Sequence, residues 1–134
     1  MNDNLSENDK KALIAYRIER AESTVGEARV LSTSAYYNAA VNRLYYACYY
    51  AAKALLLSHN QTPKTHAGVK TALGLHFISK GILSIESGKT FNTLFEKRHS
   101  SDYDDFAFCD KEMIDQLLPQ VNDFIQEIKL ALNN

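Results

Sequence analysis

A ten-residue segment, 97–106, brings together the side chains with the most chemical capacity in the chain. It holds Arg98, His99, Asp102 and Tyr103 in the run KRHSSDYDDF. An arginine can bind a phosphate through two parallel hydrogen bonds, and a histidine exchanges protons near neutral pH. Phosphodiester cleavage and nucleotide recognition both use such groups. The same spacing also fits a solvated helix end with Arg98 and Asp102 paired four residues apart, and on spacing alone this second interpretation is favoured.

A second group of residues combines cations with aromatic rings at spacings of three and four. Its members are Arg43, Tyr46, Tyr50 and Lys53, with Asn42 and Tyr49 beside them. Cations interleaved with aromatic rings can follow a nucleic-acid backbone and stack on bases. Tyr and Arg are also favoured anchors of subunit interfaces. Because the net charge of the chain is −1, the interface interpretation is favoured over nucleic-acid binding.

His66 is a third candidate, in the run Thr65-His66-Ala67-Gly68 at a predicted helix start. Polar residues at such positions often serve local hydrogen bonding, which is the favoured interpretation, and a binding role is the alternative. The phosphate-cradling glycine patterns are absent from the sequence, and no serine or cysteine has the setting of a catalytic nucleophile. The sequence therefore predicts no cofactor and no metal site.

The elements that must position these groups are helices. Apolar residues recur at helical spacing, and only five Gly and two Pro occur in the chain. The first helix is predicted to start after Ser6 and the last near Asp110, and Ser34 and Thr65 are predicted to cap the second and third. The four helices run to about residues 31, 59, 78 and 132. A shorter helix is predicted over 87–101, Gly81 is predicted to end the third helix, and Pro119 is predicted to kink the last. The helix around Val41–Leu57 is apolar on nearly every side, which is typical of a central helix or of one facing a partner.

The length and composition of the chain limit the classes of protein to which it can belong. The 134 residues fit a single domain, 1–134, with its core over about 8–132. Two cysteines are too few for a disulfide framework. The N-terminus is polar, and no apolar run approaches the roughly 18 residues that a membrane span requires. We therefore expect a soluble, cytoplasmic protein without a membrane segment.

Four segments together resemble the HEPN domain family in its small stand-alone prokaryotic branch. They are Asn42-Arg43-Leu44-Tyr45-Tyr46-Ala47, Ala54-Leu55-Leu56-Leu57, Thr65-His66, and Arg98-x-x-x-Asp102-Tyr103, and the resemblance covers about residues 8–132. It implies an all-α, up-and-down bundle of four to five helices that pairs as a homodimer. Many members are metal-independent endoribonucleases that act as toxins beside a minimal nucleotidyltransferase antitoxin.

The ribonuclease signature of that family is an arginine followed, after four to six residues, by a histidine. Arg98 matches the arginine, and the histidine positions are occupied by Tyr103, Asp104 and Asp105. The resemblance therefore implies Arg98 as a site residue and leaves ribonuclease activity open. The candidate catalytic residues are Arg98, Asp102, Tyr103 and His99, and the candidate binding residues are Asn42, Arg43, Tyr46, Lys53 and His66.

Three functional hypotheses follow for the chain. The first is a toxin-type ribonuclease with an altered site. The second is a non-catalytic module that binds RNA, a nucleotide or a nucleotidyltransferase partner. The third is a dimeric scaffold. In the first two we expect Arg98 to face a groove at the dimer interface. Asp102 then orients its guanidinium, and Tyr45, Tyr46 and Tyr49 pack close by.

Overall fold

The computed structural model describes residues 5–103 and 109–133, and the side chains of residues 99–103 lie outside that description. The described chain is a bundle of five α-helices, which confirms the predicted all-α class. Their bounds are α1 Glu7–Thr33, α2 Tyr37–Ser58, α3 His66–Leu73, α4 Ile85–Tyr103 and α5 Lys111–Leu132. None of these helices is long and apolar enough to cross a membrane.

Thr65 is confirmed as an N-cap, and Ser6 and Asp110 cap the first and last helices at their predicted starts. Ser6 Oγ accepts a hydrogen bond from the backbone N–H of Asp9 at 3.0 Å. Thr65 Oγ1 accepts from the N–H of Gly68 at 2.9 Å, and Asp110 Oδ1 accepts from the N–H of Met113 at 2.9 Å. Each side chain satisfies a backbone donor that the first helical turn leaves unpaired. The Thr65 cap fixes the point at which α3 begins, and it therefore places the adjoining His66.

The predicted start of α2 is wrong by about two residues. Ser34 was predicted as its N-cap, but its N–H still donates to Val30 O at 3.1 Å, as the C-cap of α1. Ala35 then adopts a left-handed conformation with φ 66°, which reverses the chain, and α2 begins at Tyr37 without a side-chain cap. The reversal at Ala35 places the first turn of α2 beyond Ser34, so Tyr36 occupies the N-cap position instead.

Helix α2 is the centre of the bundle, which is one of the two placements that its apolar pattern predicted. It contacts α1, α4 and α5, and it is buried on most of its circumference. Leu44, Cys48 and Leu55 are fully buried, which confirms the expectation of a buried Cys48 thiol. Four tyrosines extend from α2 toward α1, α3 and α4, and the candidate site forms around them.

The third helix differs from its prediction after Leu73. The chain continues as a π-helical turn over Gly74–Ile78 instead of a regular α-helix. Gly81 has φ 74°, so the predicted left-handed glycine after this segment is confirmed. Helix α4 begins at Ile85, two residues before its predicted start. Pro119 lies within α5, and the kink at this residue stays a prediction.

Candidate functional site

Four tyrosines of α2 form one ring system, which we call the tyrosine cluster: Tyr45, Tyr46, Tyr49 and Tyr50. The centroids of its contacting rings are 5.2–6.4 Å apart. Tyr45 is fully buried at the base of the cluster, whereas the other three rings are half-buried. The helical spacing of one, four and five residues places all four rings on one side of α2. The cluster therefore presents aromatic surface to solvent above a buried phenol.

His66 is bound to the base of this cluster. The hydroxyl of Tyr45 and Nδ1 of His66 are 2.7 Å apart. The imidazole also stacks on Tyr49, with ring centroids 4.3 Å apart and an interplanar angle of 19°. Burial raises the pKa of Tyr45 well above its usual range, although the positive charge of Arg98 opposes that shift. Tyr45 therefore stays protonated at neutral pH as the hydrogen-bond partner of His66.

Arg98 on α4 reaches the rings of Tyr45 and Tyr46. Its guanidinium carbon lies 5.6 Å from the centroid of Tyr45 and 5.9 Å from that of Tyr46. Both distances are within the range of a cation–π interaction. Arg98 is half-buried. The structure therefore brings Arg98, from the carboxyl-terminal part of α4, together with His66, from the start of α3.

Five cations surround the aromatic rings, and we call them the cationic rim: Arg20, Arg43, Lys53, Lys70 and Arg98. Arg43 lies 5.0 Å from the centroid of Tyr46, and Arg20 lies 5.2 Å from that of Tyr50. Lys53 Nζ is 5.4 Å from the Tyr49 centroid, and Lys70 Nζ is 4.9 Å from that of Phe95 on α4. The rim draws its members from α1, α2, α3 and α4.

The predicted binding residues Asn42, Arg43, Tyr46, Lys53 and His66 all belong to or adjoin this surface. Asn42 Oδ1 accepts a hydrogen bond from Arg43 Nη2 at 3.1 Å, which orients the guanidinium. His99, Asp102 and Tyr103 have side chains outside the described part of the chain. The expectation that Asp102 orients Arg98 therefore stays a prediction.

Among the described side chains, one carboxylate forms ion pairs with cations of the rim. Glu27 on α1 contacts Arg43 and Arg20, with an oxygen 3.5 Å from a guanidinium nitrogen in each case. Its side chain retains 44% of its exposure. Glu27 therefore holds two rim arginines in place while it lowers the local positive potential.

A further arginine, Arg17, increases the positive charge next to Lys53. Its Nη1 donates to the backbone carbonyl of Lys53 at 3.4 Å. Burial lowers the pKa of Arg17, and burial together with the charge of Arg17 lowers the pKa of Lys53. The positive charge of Arg17 disfavours the charge of Lys53, and a bound anion offsets that repulsion. This corner is therefore suited to a phosphate.

Four residues of this surface were not predicted from the sequence: Arg17, Arg20, Glu27 and Lys70. The contacts that tie the three α1 residues to the site are with α2, 16 or more residues away along the chain, so their own neighbourhood in the sequence did not reveal them. Lys70 lies four residues after His66 on the same side of α3, and this spacing could have identified Lys70 from the sequence.

Other parts of the described chain offer less chemistry. No group of three or more His, Cys, Asp or Glu residues within 5–103 and 109–133 could hold a metal ion. A groove between α1 and the end of α5 is lined by residues that include Lys10, Lys11, Ile14 and Lys129. It contains no member of the tyrosine cluster or the cationic rim, and Glu7, Glu19 and Glu22 also line it.

Comparison with known proteins identifies the kind of domain that carries this site. The family model described as "HEPN domain" matches residues 14–131. A "UPF0332 protein" of Thermotoga maritima is 31% identical over 127 residues, covering 95% of this chain and 96% of its own. Two proteins of Methanocaldococcus jannaschii, "Putative toxin MJ0605" and "Putative toxin MJ0142", are 35% and 34% identical over 115 residues each. Both alignments cover 86% of this chain, and they cover 85% and 78% of those proteins.

Proposed function

Because the chain belongs to the HEPN domain family, we propose that it is a toxin-type protein that binds RNA on the tyrosine cluster and cationic rim. The observation that carries this proposal is the placement of Arg98 and His66 on the same buried tyrosine, surrounded by four further cations. Arg98 binds a backbone phosphate in this proposal, and the half-buried rings of Tyr46 and Tyr50 receive bases.

The local positive charge of the rim can attract RNA even though the net charge of the whole chain is close to zero. A net charge of −1 provides no long-range attraction to nucleic acid. The rim nevertheless gathers five cations on one surface, and Glu27 contacts two of them, Arg20 and Arg43. Phosphate contacts by Lys and Arg supply most of the affinity for nucleic acid, and aromatic rings add stacking with unpaired bases. The pattern favours single-stranded RNA over a duplex, whose bases are not available to stack on side chains.

The proposal includes a homodimer in which the two Arg98 surfaces face a shared groove. The family resemblance implies the dimer, and the composition of the surface supports it. Tyrosine and arginine are enriched at the centres of protein interfaces. Sedimentation equilibrium checks this part of the proposal: a mass twice that of the 15.1 kDa chain supports it, and a monomer at micromolar concentration contradicts it.

The proposal also includes a protein partner that keeps the toxin inactive. The names of two relatives contain the word toxin, and the family resemblance supplies a minimal nucleotidyltransferase as the class of partner. Growth arrest on expression of the chain alone, relieved by such a partner encoded beside it, supports this part. Normal growth at high expression contradicts it.

The test of RNA binding uses fluorescence anisotropy with a labelled single-stranded 12-mer RNA. A charge-assisted hydrogen bond is worth about 1.5–3 kcal/mol, so Arg98→Ala should weaken binding roughly 10- to 100-fold. Arg29→Ala is the matched control, because Arg29 is an exposed arginine of α1 outside the rim. Its affinity should stay within about twofold of wild type.

Circular dichroism must first establish that both variants keep their helix content. Equal affinities of the wild type, Arg98→Ala and Arg29→Ala would contradict the assignment of Arg98. A wild-type protein that binds no RNA at low salt would overturn the proposed function itself.

A further inference from the structure

We propose that the corner between α1 and α2 formed by Arg17 and Lys53 binds the terminal phosphate of an RNA strand, so that the protein prefers RNA with a phosphorylated end. This inference rests on the proposed function and narrows its substrate class from single-stranded RNA to strands that carry an end phosphate. It concerns the edge of the tyrosine cluster, and it is argued from residues of α1 and α2.

The first support is the way in which the two cations are held beside one another. Arg17 crosses from α1 to α2, where its Nη1 donates to the backbone carbonyl of Lys53 at 3.4 Å. The Nζ of Lys53 lies 5.4 Å from the centroid of the Tyr49 ring on the same helix. Both cations are half-buried. A guanidinium carries five N–H donors, so the bond to the carbonyl leaves donors of Arg17 for phosphate oxygens.

The second support is the charge of this corner. Within the described part of the chain, no ion pair joins Arg17 or Lys53 to a carboxylate. Burial lowers the pKa of both groups, and the charge of Arg17 lowers that of Lys53 further. A terminal phosphate carries a charge of about −1.5 to −2 at neutral pH, whereas a phosphate within a strand carries a single negative charge. The terminal group therefore gains more from two adjacent cations.

The third support is the closure of the groove between α1 and α2 beyond this corner. Lys10 stands seven residues before Arg17, which is about two turns or 11 Å along the same side of α1. Its Nζ donates to Asn60 Oδ1, just after the end of α2, at 2.8 Å, and it lies 3.9 Å from Glu7. A strand that follows the groove therefore meets Arg17 and Lys53 as the last pair of cations before this crossing.

The cationic rim supplies the path by which a strand reaches the corner. Arg20 stands three residues after Arg17 on α1 and lies 5.2 Å from the centroid of Tyr50. Tyr50 stands three residues before Lys53 on α2. The next phosphate of the strand can therefore contact Arg20 while a base stacks on Tyr50. An end phosphate at the corner extends the surface assigned to RNA by one further contact.

The experiment compares the affinity of the full chain for three forms of one single-stranded 12-mer RNA that is labelled at an internal base. The 5′ end is a hydroxyl, a phosphate or a phosphate blocked as a methyl ester, and a second set carries the same groups at the 3′ end. Two contacts with partly exposed cations should make a terminal phosphate bind roughly 5- to 30-fold more tightly than a hydroxyl. The methyl ester, with one negative charge, should lie between them. A preference at either end supports the proposal and identifies that end.

Arg17→Gln and Lys53→Gln test the assignment to this corner. The readout is the ratio of the affinities for phosphate-ended and hydroxyl-ended RNA, because a general loss of RNA binding leaves that ratio unchanged. Each substitution should lower the ratio by roughly 2- to 5-fold, and the double variant should abolish the preference. Arg98→Ala should weaken binding of both strands and keep the ratio. Arg29→Gln, at an exposed arginine of α1 outside the rim, is the matched control and should keep the wild-type ratio.

Each contrary result has a distinct meaning. Wild-type protein that binds RNA with equal affinity for phosphate-ended and hydroxyl-ended strands overturns this inference and leaves the proposed function standing. A methyl ester that binds as tightly as the free phosphate overturns it as well. Circular dichroism establishes which variants are folded, and if Arg17→Gln is unfolded, Lys53→Gln alone must lower the ratio; a folded variant that keeps the full preference overturns the assignment. Absence of RNA binding in every arm removes the proposed function, and this inference falls with it.

Discussion

The most specific prediction concerns Glu27, a carboxylate that contacts two arginines of the cationic rim. Its oxygens lie 3.5 Å from nitrogens of both Arg20 and Arg43, so it competes with an incoming phosphate for the same guanidinium groups. Glu27→Gln removes the negative charge and keeps the shape of the side chain. We therefore expect the substitution to tighten RNA binding.

The size of the effect follows from the exposure of the Glu27–Arg43 pair. The two side chains retain 44% and 28% of their exposure, so water and salt screen the pair. Such pairs are worth about 0.2–1 kcal/mol. Releasing Arg43 to a phosphate should therefore strengthen binding by roughly 1.4- to 5-fold. The contact of Glu27 with Arg20 acts in the same direction.

The assay is anisotropy of a labelled single-stranded RNA at 50 mM and 200 mM KCl. The gain should be larger at the lower salt, because screening weakens the charge that Glu27 contributes. Glu86→Gln is the matched control, since Glu86 also forms an exposed ion pair, with Lys89 at 3.8 Å, at the opposite end of α4 from Arg98. Weaker binding by Glu27→Gln, or the same change in Glu27→Gln and Glu86→Gln, would refute the reasoning.

Three further predictions concern the fold that holds the site. Asp110→Ala removes the α5 N-cap and should lower the free energy of unfolding by about 1 kcal/mol in urea titrations; an unchanged midpoint would argue against the cap. Phe124→Ala, a buried ring stacked on Phe91, should cost about 3–5 kcal/mol in the same assay, and a loss below 1 kcal/mol would mean that the core is less closely packed there. Tyr45 has a pKa raised by burial, so folding favours its protonated form. Stability should therefore fall as pH rises above about 10, the pKa of an unfolded tyrosine, and Tyr45→Phe should reduce that slope.

Local signals predicted much of the fold. A side-chain cap needs only the residues of the first turn, which is why the helix starts at Ser6, Thr65 and Asp110 were identified from the sequence. The start of α2 was missed because it depends on the chain reversal at Ala35, and alanine carries no sequence signal for a positive φ. The π-helical turn after Leu73 was missed because apolar spacing does not separate it from a regular helix.

The sequence identified candidate residues within single helices, but it did not show which of these residues come together across helices. Arg43, Tyr46 and Lys53 were found through their spacing on α2. The shared placement of Arg98 and His66 on Tyr45 joins three helices, and it needed the packed structure. The arginines of α1 were not found at all, because their contacts with the cluster depend on how α1 lies along α2.

Photo-crosslinking tests the central claim, that RNA lies on the tyrosine cluster, most directly. Single-stranded RNA containing 4-thiouridine is irradiated with the full chain, and the crosslinked peptides are identified by mass spectrometry. We expect crosslinks at Tyr46 and Tyr50 that are lost in Arg98→Ala and kept in Arg29→Ala. Crosslinks confined to the α1–α5 groove at Lys10, Lys11 and Lys129, or unaffected by Arg98→Ala, would contradict the account.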